Sequence, residues 1–103
     1  MNLDTLRREI DRIDREIVRL LNERTKLAMR IGRVKKSNGT PVFVPEREKE
    51  VHERVGIANR GPFPDAALRR IYGEIMSASR SLELEDEVKV KVPAKKQARR
   101  KAS

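Results

Sequence analysis

Arg24 interrupts a stripe otherwise made of Leu3, Leu6, Ile10, Ile13, Ile17, Leu20, Leu27, Ile31 and Val34, all at three-four spacing. A guanidinium aimed at a core needs an anionic partner or a ligand, because an unpaired charge withdrawn from water is costly. The pattern recurs downstream, where Glu48 lies in register with Val44, Val51 and Val55, and Ser79 lies between Ile75 and Leu82. Three helical faces therefore each carry a polar group inward. Lys35, 11 residues or about 16 Å beyond Arg24, brings a second cation within reach of the same small molecule. Convergent Arg and Lys with one carboxylate and one hydroxyl suit a small polyanion, since Arg pairs bidentately with carboxylates. Ser79 has no His partner to make it a nucleophile, and no helical His-Glu metal pattern occurs. The chemistry that fits is placement and electrostatic stabilisation rather than covalent catalysis.

The elements that must hold these groups are helices. The first is predicted from about Leu3 to about Lys36, with Asn2 as N-cap and Ser37-Asn38-Gly39 as the stop. It would be roughly 50 Å long. So long an amphipathic helix in a short chain cannot bury its whole seam against its own chain, which calls for a partner copy. After a loop over 40–44, Pro45 opens a second helix reaching about Asn59. Arg60-Gly61-Pro62-Phe63 is the next turn. Pro64 and Asp65 begin a third helix with Leu68, Ile71, Tyr72, Ile75, Met76 and Leu82 on its apolar side, fading near Glu85. Arg7 and Lys35 lie 28 residues apart, about 42 Å on one helix, too far for one small ligand. If Arg7 joins the site it comes from a second chain, and a two-fold dimer of antiparallel long helices would build two equivalent pockets.

Composition sets the outer limits. With 103 residues and 3% aromatics this is one small domain whose core comes from Leu, Ile, Val, Ala and Met, a palette that suits an all-α assembly. There is no cysteine, so no disulfide framework or thiolate metal site, and the lone His52, read as a surface residue, cannot nucleate a metal cluster. The expected compartment is reducing, with no metal. The N-terminus, charged from Asp4, resembles no signal peptide, and no apolar run approaches the roughly 20 residues needed to span a bilayer. A soluble, cytoplasmic protein without membrane contact is expected. Of the 25 Lys and Arg, seven lie in residues 88–103, which hold none of the 16 acids, so the net charge of +9 belongs mainly to a tail. That tail contains Pro93 and little apolar content, and cannot offset its ordering entropy. Two segments follow, a helical domain over 1–87 and a basic, disordered tail over 88–103.

The blocks Leu6-Arg7 with Ile10 and Ile13-Asp14, Leu20-Leu21-Asn22-Glu23-Arg24, Ile31-Gly32-Arg33-Val34-Lys35, Pro45-Glu46-Arg47-Glu48 and Ile75 through Glu83 together resemble the all-helical, AroQ-type chorismate mutases. The resemblance covers about residues 3 to 85 in order. It implies a three-helix chain in an intertwined helical homodimer that converts chorismate to prephenate on the route to phenylalanine and tyrosine, without cofactor or metal. Carried over by position, Arg7 would arrive from the partner subunit to bind one substrate carboxylate, and Arg24 would hold the other. Lys35 would bridge a carboxylate and the ether oxygen whose bond breaks, Glu48 would accept from the ring hydroxyl, and Arg47 would support the pocket. Ser79 would add a carboxylate contact and Glu83 would face the ether oxygen. The best-known enterobacterial member has Gln in place of Glu83 and Asp in place of Val44. An ionised Glu83 would repel charge growing on the ether oxygen, so it should act protonated, its pKa raised by burial.

Taken one at a time, the same residues have plainer readings. Arg24 could pair with Glu23 or Glu48 across an interface and set register. Arg7 among Arg8, Arg12 and Arg15 could be a solvated face, as could Glu48 near Glu50 and Glu53. Ser79 could be a small residue for close packing, and Lys35 beside Lys36 could serve the helix C-terminus. Two rival functions accompany them: a lyase on the same scaffold that removes pyruvate from isochorismate, and a non-catalytic helical dimer that binds polyanions such as nucleic acid through its tail. The last lacks aromatic stacking residues and a helix-turn-helix signature.

Overall fold

A computed structural model describes residues 2–89, with side chains to residue 84. Three helices account for nearly all of it: α1 (Leu3–Asn38), α2 (Pro45–Ala58) and α3 (Asp65–Lys89). Asn2 caps α1, its Oδ1 accepting from the Thr5 amide at 2.8 Å. Gly39 ends it at φ 76°, a left-handed conformation that a residue without Cβ adopts without strain. Pro45 occupies the first turn of α2, where its missing amide proton costs nothing. Asn59 then clamps the turn into α3, its Nδ2 donating to the Phe63 carbonyl and to Asp65 Oδ1, each at 2.9 Å. α3 extends to Lys89 rather than fading near Glu85. The rest of the tail, and with it the expected disorder, lies outside the described residues.

α3 is the central element, packing on α1 along one side and on α2 along another. The α1 stripe that meets it differs from the apolar seam. Arg24, Ala28, Gly32 and Lys35, which recur at three-four spacing beside that seam, are among the half-buried and buried positions of α1, with Thr25 and Met29 next to them. All nine apolar seam residues remain 46% to 61% exposed. Among the described residues the only buried large apolar side chain is Met76, accompanied by the buried polar residues Ser79 and Glu83. The molecule measures 52 × 37 × 16 Å, so along its thin axis it is little more than the roughly 10–12 Å of one helix with side chains. A chain that buries its polar groups and exposes its apolar seam has its stabilising surface still to cover. His52 departs from its reading as a surface residue: it is half-buried, and its Nδ1 is enclosed without a hydrogen-bond partner.

Candidate active site

Where α1, α2 and α3 meet, a cavity of about 310 Å³ opens, within the range of small-ligand sites. Arg24 and Lys35 enter it from α1, Arg47 and Glu48 from α2, and Ser79 and Glu83 from α3. Six of the seven residues singled out from the sequence therefore meet. Arg7 does not; it sits at the far end of α1, exposed, as its distance along the helix requires.

Arg24 reaches α3, where Nη1 donates to Ser79 Oγ at 3.4 Å and the guanidinium lies 5.9 Å from the Tyr72 ring centroid. Ser79 Oγ in turn donates to the Ile75 carbonyl at 3.0 Å, so the hydroxyl has both a packing role and an orienting one. Within the chain Glu23 pairs with Arg19 and Glu48 with Arg80. A guanidinium has five N–H donors, and one weak bond to Ser79 leaves most of them for a carboxylate.

Lys35 does not act as a helix-end cation alone. Its Nζ donates to the Val42 carbonyl at 2.7 Å, which folds the α1–α2 connection back over the cavity, and stands 3.8 Å from Glu83 Oε2. Glu83 is 7% exposed, and that Oε2 is enclosed without a hydrogen-bond partner. Burial pushes the Glu83 carboxyl above the ordinary carboxylate range and Glu48 adds to the shift, against the pull of Lys35 and Arg80. A buried acid beside a lysine with donors to spare is a ready source of positive potential and of a proton to share. Arg47 lines the cavity at its rim, with its guanidinium turned to Glu50.

Two residues to which the sequence reading assigns no role complete the site. Arg80 lies in the cavity wall, ion-paired with Glu48. Gly32 is the reason Glu83 fits, since a Cβ at that position would lie 2.9 Å from Glu83 Cγ and 3.1 Å from its Cβ. Glu83 thus roots directly against the α1 backbone. A glycine in mid-helix costs roughly 0.5–1 kcal/mol relative to alanine, so its presence there marks a close approach. No group of metal-ligating side chains occurs among the described residues, and no helix among them is long and apolar enough to cross a membrane.

Residues 6–84, nearly the whole described region, match the family of type II chorismate mutases. The chain belongs to that family. A chorismate mutase of Thermus thermophilus superposes with a TM-score of 0.76 at 44% identity, covering 79% of this chain and 92% of the Thermus chain. The bifunctional chorismate mutase/prephenate dehydratase of Aquifex aeolicus is 55% identical over 85 residues, 79% of this chain. A chorismate mutase of Methanocaldococcus jannaschii is 40% identical over 53 residues, 52% of this chain and 54% of its own. The chain spans only 24% of the Aquifex protein's length. The resemblance drawn from the motif blocks and the all-α architecture both stand.

Proposed function

We propose that the chain is a chorismate mutase, which binds chorismate and carries it through an intramolecular rearrangement to prephenate. The observation that supports this most is the junction of Lys35 with a buried, partnerless Glu83 carboxyl, facing Arg24 and Ser79 across one small cavity. Arg24 would grip one substrate carboxylate and help to select the compact conformer in which the reacting ends meet. Glu48 would accept a hydrogen bond from the ring hydroxyl through Oε1, since Arg80 engages its Oε2. As the carbon–oxygen bond breaks, negative charge grows on the ether oxygen, and Lys35 Nζ and the Glu83 proton both meet it there. No covalent intermediate arises, and the rearrangement needs no proton in its balance. Val44 borders the cavity, where its side chain is an apolar wall and its backbone could still contact substrate.

We place the working unit as a homodimer. The nine exposed seam residues of α1 supply its interface, and burying each Leu or Ile fully is worth about 1.5–3 kcal/mol. The partner's Arg7 would complete each cavity with a second carboxylate clamp. The catalytic segment is 1–87, and the expected setting is the cytoplasm.

Loss of chorismate absorbance with formation of prephenate tests the function directly. Wild type and a chain ending at Glu87 are expected to turn over chorismate at similar rates. If neither does, and pyruvate is released from isochorismate instead, the lyase replaces this reading.

Two further results are expected. Wild-type activity should fall as pH rises through the raised pKa of Glu83, by up to about tenfold per pH unit, because the carboxylate replaces the acid that the ether oxygen needs. Glu83→Gln keeps a donor at every pH and should flatten that limb; a pH-rate profile with the alkaline limb intact in the variant would remove Glu83 from this role. Gly32→Ala should lower kcat by about 10–100-fold, since its Cβ must push the root of Glu83 aside and small misplacements cost that much. Circular dichroism of that variant should show undiminished helix, because alanine favours helix over glycine. Activity within twofold of wild type would mean that Glu83 tolerates displacement.

A further inference from the structure

Arg80 belongs to no motif block as a functional residue, yet at the cavity mouth it bridges α2 and the α1–α2 connection. From α3 it reaches two other parts of the chain. One guanidinium nitrogen, Nη1, pairs with Glu48 Oε2 on α2, and the two side chains are 32% and 24% exposed. The guanidinium carbon also lies 4.8 Å from the centroid of the Phe43 ring, within cation–π range. Phe43 stands in the α1–α2 connection, directly after Val42, whose carbonyl takes the Lys35 bond. The connection is therefore fastened at consecutive residues, to α1 through Lys35 and to α3 through Arg80. Arg80 also borders a second, outer groove with Thr40, Phe43 and Leu84, so it forms the partition between that groove and the cavity.

We infer that Arg80 is a positioning residue that holds Glu48 and the Val42–Phe43 connection in place around the substrate cavity. This rests on the function proposed above for the cavity, and deepens it. The planar fork suits the task, because it can engage a carboxylate at its edge while its face lies on an aromatic ring; a lysine ammonium offers a point charge alone. With its guanidinium committed to Glu48 and Phe43, Arg80 acts on substrate through them. It also contributes charge. The groups facing Glu83 are Lys35 from α1, Glu48 from α2 and Arg80 from α3, and Arg80 is one of the two cations that restrain the upward shift caused by burial.

The chain has no tryptophan, so Phe43→Trp installs a single reporter at the connection. Arg80→Ala and Arg80→Lys are made in the full chain, with and without that reporter. In the reporter background Arg80→Ala is expected to raise acrylamide quenching of the introduced indole by about twofold or more, with a red shift, because the ring loses its guanidinium cover. Arg80→Lys should restore little of that protection. Without the reporter, Arg80→Ala should raise KM for chorismate by about tenfold with a smaller fall in kcat, the mark of lost ground-state placement at Glu48. Its alkaline limb should move to higher pH, whereas Arg80→Lys, which keeps the charge, should leave the limb where wild type has it. Unchanged quenching in Arg80→Ala overturns the inference. So do a loss of activity with no change in KM and a limb that stays in place, since a merely structural arginine would behave so. If wild type leaves chorismate untouched, the proposed function fails and the quenching comparison still decides the placement of the connection.

Discussion

Arg24→Ala is expected to lower kcat/KM for chorismate by about 10³-fold, the largest effect of any single substitution in one chain's cavity. The expectation follows from what Arg24 holds and what it leaves free. Its contacts within the chain are slight, a 3.4 Å bond to Ser79 and a ring 5.9 Å away. A half-buried cation–π contact contributes about 1 kcal/mol, so the melting temperature should fall by about 4–8 °C. The substrate's loss is greater, because a carboxylate brought into the cavity without its guanidinium remains buried and unpaired. Arg24→Lys separates charge from geometry: it keeps the cation but not the fork, and should recover only part of the activity. Steady-state kinetics and thermal melts on the three proteins decide the matter. Activity of Arg24→Ala within tenfold of wild type would show that the carboxylate is held elsewhere.

Much of this site is legible without any fold, and for a physical reason. A helix repeats its faces every 3.6 residues, so a charged residue among apolar ones at that period is visible in the sequence. That is why Arg24, Glu48 and Ser79 stand out, and why they do line one cavity. Periodicity cannot distinguish two adjacent stripes, however. The apolar seam of α1 and the stripe of Arg24, Ala28, Gly32 and Lys35 are neighbours on one cylinder, and only packing reveals that α3 lies on the second. Arg24 is thus a boundary residue between the stripes, half-buried where its apolar neighbours Leu20 and Leu27 are about half exposed. Arg80 is hidden in the sequence because an arginine between two serines reads as solvated surface. Its signal is positional: it lies four residues after Met76 and three before Glu83, on the face that the buried residues define. Gly32 falls inside a motif block without a role of its own, though a glycine inside a long helix already points to close approach. The enclosed Nδ1 of His52 has no signal in the sequence, and no contact explains it.

Mixing two inactive variants is expected to restore activity. Arg7→Ala should be nearly as damaging as Arg24→Ala, although Arg7 lies outside the cavity of its own chain, about 42 Å along α1 from Lys35. In the proposed two-fold dimer the partner's Arg7 would meet this chain's Arg24, so each substitution would spoil both cavities of a pure dimer. A mixed dimer of Arg7→Ala with Arg24→Ala differs. One of its cavities collects both substitutions, and the other collects neither. Each mixed dimer therefore has one intact cavity of two, and about half of wild-type activity should return once mixed dimers are isolated. Arg24→Ala mixed with Lys35→Ala is the control. Both residues serve the cavity of their own chain, each mixed dimer then has one defect per cavity, and nothing should be regained. The proteins are co-expressed with different tags, purified through both, and assayed with chorismate. A double-purified Arg7→Ala and Arg24→Ala pair that stays inactive would remove Arg7 from the partner's cavity. The exposed α1 seam would still be covered in such a pair, and only the loan of a catalytic cation between subunits would fall.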